Sequence, residues 1–272
     1  MRLWHLCGLW HHRSRYRLRQ AGRAFGRRGA GVVTLPLVLL PGMMCDGRLF
    51  GPQIAAFGAE REILTPGLAG ADTVAALAEK VLAQAPPRFA LAGLSMGGIV
   101  AMEVLRQAPE RVAGLALLDT NPLAETDEVK ARRAPQMVKA ASGGLASVMR
   151  DEMKPNYLAP GEGRAAVLDL CMEMALDLGP EAFLRQSRAL RDRPDQTATL
   201  ARFQGPALVL CGAQDALCPV ARHDLMAGLI PGAKLVVIEG AGHLPVLETP
   251  EETNAALRRW LTEVDGDPHA DR

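Results

Sequence analysis

The strongest constraint on this chain is an alternation. From residue 32 onward, short apolar runs recur at 33–40, 61–65, 88–93, 112–118, 206–211 and 233–239. Amphipathic stretches lie between them, at 48–57, 73–84, 96–107, 219–230 and 250–264. Runs this short and apolar read as strands buried on both faces, and the intervening stretches read as helices. The pattern predicts an α/β fold: a mostly parallel sheet of about six strands with helices on both faces, joined by right-handed crossovers.

One interval breaks the rhythm. Residues 121–204 carry no strand signal and read as helices at about 125–141, 145–153, 162–178 and 180–191. Pro155, Pro160, Pro180 and Pro194 punctuate them. An all-helical insertion between two strands predicts a cap over the sheet's carboxyl edge, where open α/β sheets bind ligands. The expected division is a core of 31–120 and 205–265, a helical cap of 121–204, and a polar tail of 266–272.

Residues 1–30 are unlike the rest. They hold eight arginines, no Asp or Glu, and no periodicity. They read as a basic extension outside the packed domain, and three origins stand: a targeting segment, a surface arm, or a misassigned start. Arg27-Arg28 before an apolar run resembles a twin-arginine export signal. That run is needed as the first core strand, which weighs against cleavage. The remaining residues carry 23 basic against 30 acidic side chains. An acidic body gives no electrostatic case for a nucleic-acid partner. No apolar stretch approaches the length of a membrane span, so no membrane partner is expected. The five cysteines are odd in number and lack metal-ligand spacing, which predicts a reducing, cytoplasmic setting and no bound metal.

The chemistry concentrates at three strand ends. In "ALAGLSMGGI", Ser95 stands between a strand and a helix, flanked by Gly93 and Gly97. Such a turn projects a serine Oγ above the sheet, and the glycines let neighbouring backbone pass. A serine needs a base. His5, His11 and His12 lie in the basic extension, His269 in the tail, and His223 inside a helix, where a surface side chain is expected. His243, in the glycine-flanked loop "GAGHLPVLETPEE", is placed to reach Ser95. The base needs an orienting acid. Asp215 in "LVLCGAQDALCP" and Asp119 in "LALLDTNP" both follow strands, and both give the order Ser, Asp, His. Donors for an oxyanion are expected from the backbone N–H of Met96 and, in the loop "LLPGMMCDGRLF", that of Met43. Cys45 in the same loop reads as a packed thiol.

In this order, "AGLSMGG", "LVLCGAQDALCP" and "GAGHLPVLETPEE" resemble the α/β-hydrolase superfamily over about residues 32–264. With "LLPGMMCDGRLF" and "DEMKPNYL", the chain looks like the small bacterial hydrolases of this fold called carboxylesterases. The resemblance implies a Ser95–His243–Asp215 triad, an acyl-enzyme mechanism without cofactor, and helices over the site. It implies hydrolysis of carboxylic esters of a small or medium apolar molecule. Lactonase, thioesterase, C–C bond hydrolase and non-catalytic ligand-binding roles use the same fold. Two departures stand out: Pro41-Gly42 replaces the His-Gly of many relatives, and no hairpin precedes the first parallel strand. The cap methionines Met137, Met149, Met153, Met172 and Met174 read as core packing before substrate wall.

Overall fold

The computed structural model describes residues 34–161 and 163–266. The basic extension and residues 267–272 of the tail lie outside the described residues. Six strands form one sheet: Leu37–Leu40 (β1), Ile63–Leu64 (β2), Phe89–Leu94 (β3), Val112–Leu118 (β4), Ala207–Gly212 (β5) and Lys234–Ile238 (β6). All pairings are parallel, in the order β2-β1-β3-β4-β5-β6. The chain leaves β1 towards β2 and returns on the other side at β3. The carboxyl ends of β1 and β3 therefore flank the point where such sheets open a crevice.

The helices are Gly51–Phe57 (α1), Val74–Gln84 (α2), Met96–Gln107 (α3), Asp127–Lys139 (α4), Leu145–Ser147 (α5), Arg164–Arg191 (α6), Thr197–Leu200 (α7), Val220–Leu229 (α8), Pro245–Glu248 (α9) and Pro250–Asp265 (α10). Strand side chains alternate between faces, so each strand feeds two cores. Val38, Leu40, Leu91, Leu115, Leu117 and Val209 meet α2, α3 and α8 through residues such as Leu77, Val100 and Met226. Leu37, Leu39, Ala90, Ala92, Leu118 and Leu210 meet α1 and α10 through Phe57, Leu257 and Trp260. Each such Leu or Phe stabilises the fold by roughly 1.5–3 kcal/mol on burial. The strands β1, β3, β4 and β5 are buried throughout, whereas the edge strands β2 and β6 are partly open.

Between β4 and β5 the described chain is helical, as the sequence predicts. Thr126 caps α4 by accepting the Val129 N–H at 3.4 Å. The stretch expected as 162–178 and 180–191 is a single element, α6, broken at Gly179, whose φ of 78° is left-handed. Pro180 then starts the second half, where its missing N–H costs nothing. Among the described residues, no helix is long and apolar enough to cross a membrane.

His223 departs from expectation. It is fully buried, and its Nε2 accepts the Thr120 N–H at 3.1 Å. Burial pulls its pKa down to about 4, so the ring is neutral and free to accept. His223 and Met226 are three residues apart and share the buried face of α8, which is why the histidine turns inward.

Candidate active site

Ser95 sits between the last residue of β3 and the first of α3. Its backbone is at φ 55°, ψ −116°, a conformation costly for a residue with a side chain. Local packing holds it there. The Ser95 N–H donates to the Leu118 carbonyl at 2.9 Å, and Thr120 Oγ1 donates to the Ser95 carbonyl at 2.7 Å. A Cβ on Gly97 would run into the Leu40 carbonyl, and one on Gly93 into the Gly97 carbonyl. Both glycines are therefore required for α3 to start this close to the sheet. Among the described residues, the non-glycine positions with positive φ are Met44, Ser95 and Asp119. They follow β1, β3 and β4, so the unusual backbone is confined to this end of the sheet.

His243 reaches Ser95 from the loop after β6. Its Nε2 lies 2.9 Å from Ser95 Oγ, and its Nδ1 lies 2.8 Å from Asp215 Oδ2. The loop is fixed by a residue the sequence reading missed. Glu248 accepts the N–H groups of Leu244 (2.9 Å), Gly242 (3.0 Å) and, from the insertion, Ala159 (2.8 Å). The His243 N–H donates to the Tyr157 carbonyl at 2.7 Å. The available signal was an acid in the first turn after a loop, where it can reach back to unpaired N–H groups.

The two candidate acids are neighbours with different partners. Asp215 Oδ1 accepts the N–H groups of Leu217 (2.8 Å) and Cys218 (2.9 Å), leaving Oδ2 for His243. Burial works against its charge, but His243 and these amides outweigh it and hold the carboxyl below the usual range. Asp119 is fully buried; its Oδ1 accepts the Gly212 N–H at 3.0 Å, and Oδ2 meets no donor. It lies within side-chain hydrogen-bonding reach of Asp215. Burial first, then the Asp215 charge, push Asp119 well above the carboxylate range. Two facing carboxylates repel, so this arrangement favours a proton on Asp119 over a second negative charge.

Both expected backbone donors line the cavity above Ser95, and neither the Met43 nor the Met96 N–H donates to a described residue. The Met43 loop is anchored next door, where Met44 N–H donates at 2.8 Å to Gln186 Oε1 of α6. Gln186 Nε2 in turn donates to the Leu68 carbonyl at 3.1 Å. Cys45 is buried, as expected, but Cys171 of α6 lies within hydrogen-bonding reach of it, and this contact and burial push the Cys45 thiol well up. The cavity measures about 550 Å³ and is roofed by residues of the insertion. Of the five cap methionines only Met153 lines it; the other four pack in the cores. Asp215, Cys218 and His243 converge closely enough to ligate a cation. The Asp215–His243 hydrogen bond already uses the facing atoms, so the trio reads as an oriented histidine with a thiol beside it.

A family model described as the alpha/beta hydrolase family matches residues 3–256. The chain belongs to that family. Among its relatives, the pimeloyl-[acyl-carrier protein] methyl ester esterase of Edwardsiella ictaluri is 30% identical over 239 residues, covering 81% of this chain and 91% of that protein. The enzyme of the same name from Aromatoleum aromaticum is 27% identical over 236 residues, covering 79% and 94%. A thermophilic esterase from Thermogutta terrifontis, solved with malate bound, superposes with a TM-score of 0.79 at 30% identity, covering 85% of this chain and 90% of that one. The enol-lactonase from Burkholderia xenovorans shares the fold, with a TM-score of 0.75 at 22% identity and coverage of 85% and 92%.

Proposed function

We propose that this hydrolase cleaves carboxylic esters through a covalent acyl-enzyme. The observation that carries the reading is the His243 ring bridging Ser95 Oγ at 2.9 Å and Asp215 Oδ2 at 2.8 Å. Ser95 Oγ attacks the ester carbonyl carbon while its proton passes to His243 Nε2. The resulting oxyanion takes hydrogen bonds from the Met43 and Met96 N–H groups, worth about 2.7–4 kcal/mol per donor in comparable sites. Collapse breaks the carbon–oxygen bond, and the leaving alcohol takes the proton from His243. A water, deprotonated by His243, then attacks the acyl-enzyme, releasing the acid and restoring Ser95. Asp215 holds the imidazole tautomer and stabilises its charged form. Residues 121–204 act as the cap that closes this pocket. The four described cysteines are free thiols, which supports a reducing, cytoplasmic setting.

The names of the relatives support an ester substrate. A panel of p-nitrophenyl esters of graded acyl length tests it. Hydrolysis is expected, and Ser95→Ala should remove it by at least about 10³-fold without altering the circular dichroism spectrum. No turnover of any ester, or fluorophosphonate labelling of another serine, overturns the reading.

A further inference from the structure

The insertion side of the cavity above Ser95 mixes apolar side chains such as Val129, Met153 and Leu190 with charged ones. Glu125, just before α4, is buried with 1% of its side chain exposed. Two guanidiniums converge on it. Arg133 of α4 donates from Nε at 2.8 Å, and Arg193, just past α6, donates from Nη1 at 2.6 Å. Their side chains are 16% and 9% exposed. One carboxylate therefore faces two cations. Arginine stays protonated in proteins, so one positive charge is left uncompensated in a low-dielectric wall. Burial opposes the charge on Arg193 and lowers its pKa.

The spare donors are identifiable. Arg133 spends Nε and Nη2 on Glu125. Arg193 spends Nε on the Leu123 carbonyl and Nη1 on Glu125 and the Leu190 carbonyl. Arg133 Nη1 and Arg193 Nη2 have no partner among the described residues, and neither is a sealed orphan. Both residues line the cavity that holds Ser95 and His243. The remaining charges on the wall do not cancel the excess. Glu152 is paired with Lys139 Nζ at 2.9 Å, and Arg132 has only a long 4.0 Å contact with Glu128.

We infer that the substrate is an ester bearing a free carboxylate, which Arg133 and Arg193 bind while the ester lies at Ser95; a half-ester of a dicarboxylic acid is the simplest such molecule. This rests on the ester-hydrolase reading and replaces the expectation of a wholly apolar substrate. Guanidiniums recognise carboxylates by paired N–H bonds, and a wall that already carries an unmatched cation favours an anion over an isosteric methyl group.

The test compares monomethyl adipate with methyl hexanoate, a neutral ester of equal chain length, by proton release at constant pH. A kcat/KM ratio of at least about tenfold in favour of the half-ester is expected. Arg133→Gln should lower that ratio about tenfold or more, chiefly through KM for the half-ester. Glu125→Gln should raise it, because it removes the competing carboxylate. A purely structural cluster predicts instead that both variants change both substrates alike. A wild-type ratio of one or less, or parallel losses in both variants, overturns the inference while leaving ester hydrolysis standing. If neither ester is turned over, the rate of fluorophosphonate labelling at Ser95 decides. Protection by adipate but not by 1,6-hexanediol supports the anion pocket; equal protection or none overturns it. Absence of labelling at Ser95 overturns the ester-hydrolase reading itself.

Discussion

The ends of β4 and β5 each deliver a buried aspartate to the same corner of the molecule, yet their surroundings push the two carboxyls in opposite directions. Asp215 has three hydrogen-bond donors, two of them amides and one an imidazole, and all favour the charged form. Asp119 has one amide, which favours the charged form, but burial and its negative neighbour outweigh it and favour the neutral form. Depth of burial does not separate them, with 5% and 0% of each residue exposed. The set of donors around each carboxyl decides which one can stabilise a charged histidine.

The sharpest way to break this contrast is Asp215→Asn. It removes the charge opposite His243 and should lower kcat by about 10²–10⁴-fold with a small change in KM, by steady-state kinetics. If Asp119→Asn shows that loss and Asp215→Asn is nearly silent, the roles are reversed. Asp119→Ala should act on stability. It strips the Gly212 N–H of its acceptor, costing about 1–3 kcal/mol in urea unfolding, and should leave kcat within about tenfold. Asp119→Asn should be milder still. Asn tolerates positive φ, keeps an oxygen for Gly212 and offers an N–H₂ towards Asp215.

That last variant also has a pH signature. Folded Asp119 binds its proton more tightly than the unfolded chain does, because its folded pKa is raised. Its stabilising contribution is complete below the unfolded carboxyl value of about 4 and is lost as pH rises towards the folded value. Asn has no proton to lose. The melting temperature of Asp119→Asn, relative to the parent chain, should therefore rise between pH 4 and pH 8 by about 2 °C or more. A relative fall over that range would show that Asp119 is a carboxylate in the folded state.

The sheet was legible because its strands are short, apolar and separated by turn residues, and the Ser95 elbow because glycines flank it. Local pattern carried both. The choice between Asp119 and Asp215 was not legible from order, since it depends on where the His243 ring turns. The inward turn of His223 had a signal in its spacing from Met226, outweighed by the polarity of the residue. Glu125, Gln186 and Arg193 went unnoticed for a different reason. Apart from Arg133 and Leu190, their partners lie far away in sequence, on the body or at the other end of the insertion, and no local period encodes such pairings.

The clamp on the His243 loop has a consequence for how the chain closes on itself. The Ala159 N–H and the Tyr157 carbonyl, which hold Glu248 and His243, belong to the insertion, 89 residues away in the first case. Closing contacts that distant in sequence costs loop entropy, as does pairing β4 with β5 across the same insertion. Ordering the insertion therefore serves two ends at once: it brings the two halves of the sheet together and seats the His243 loop.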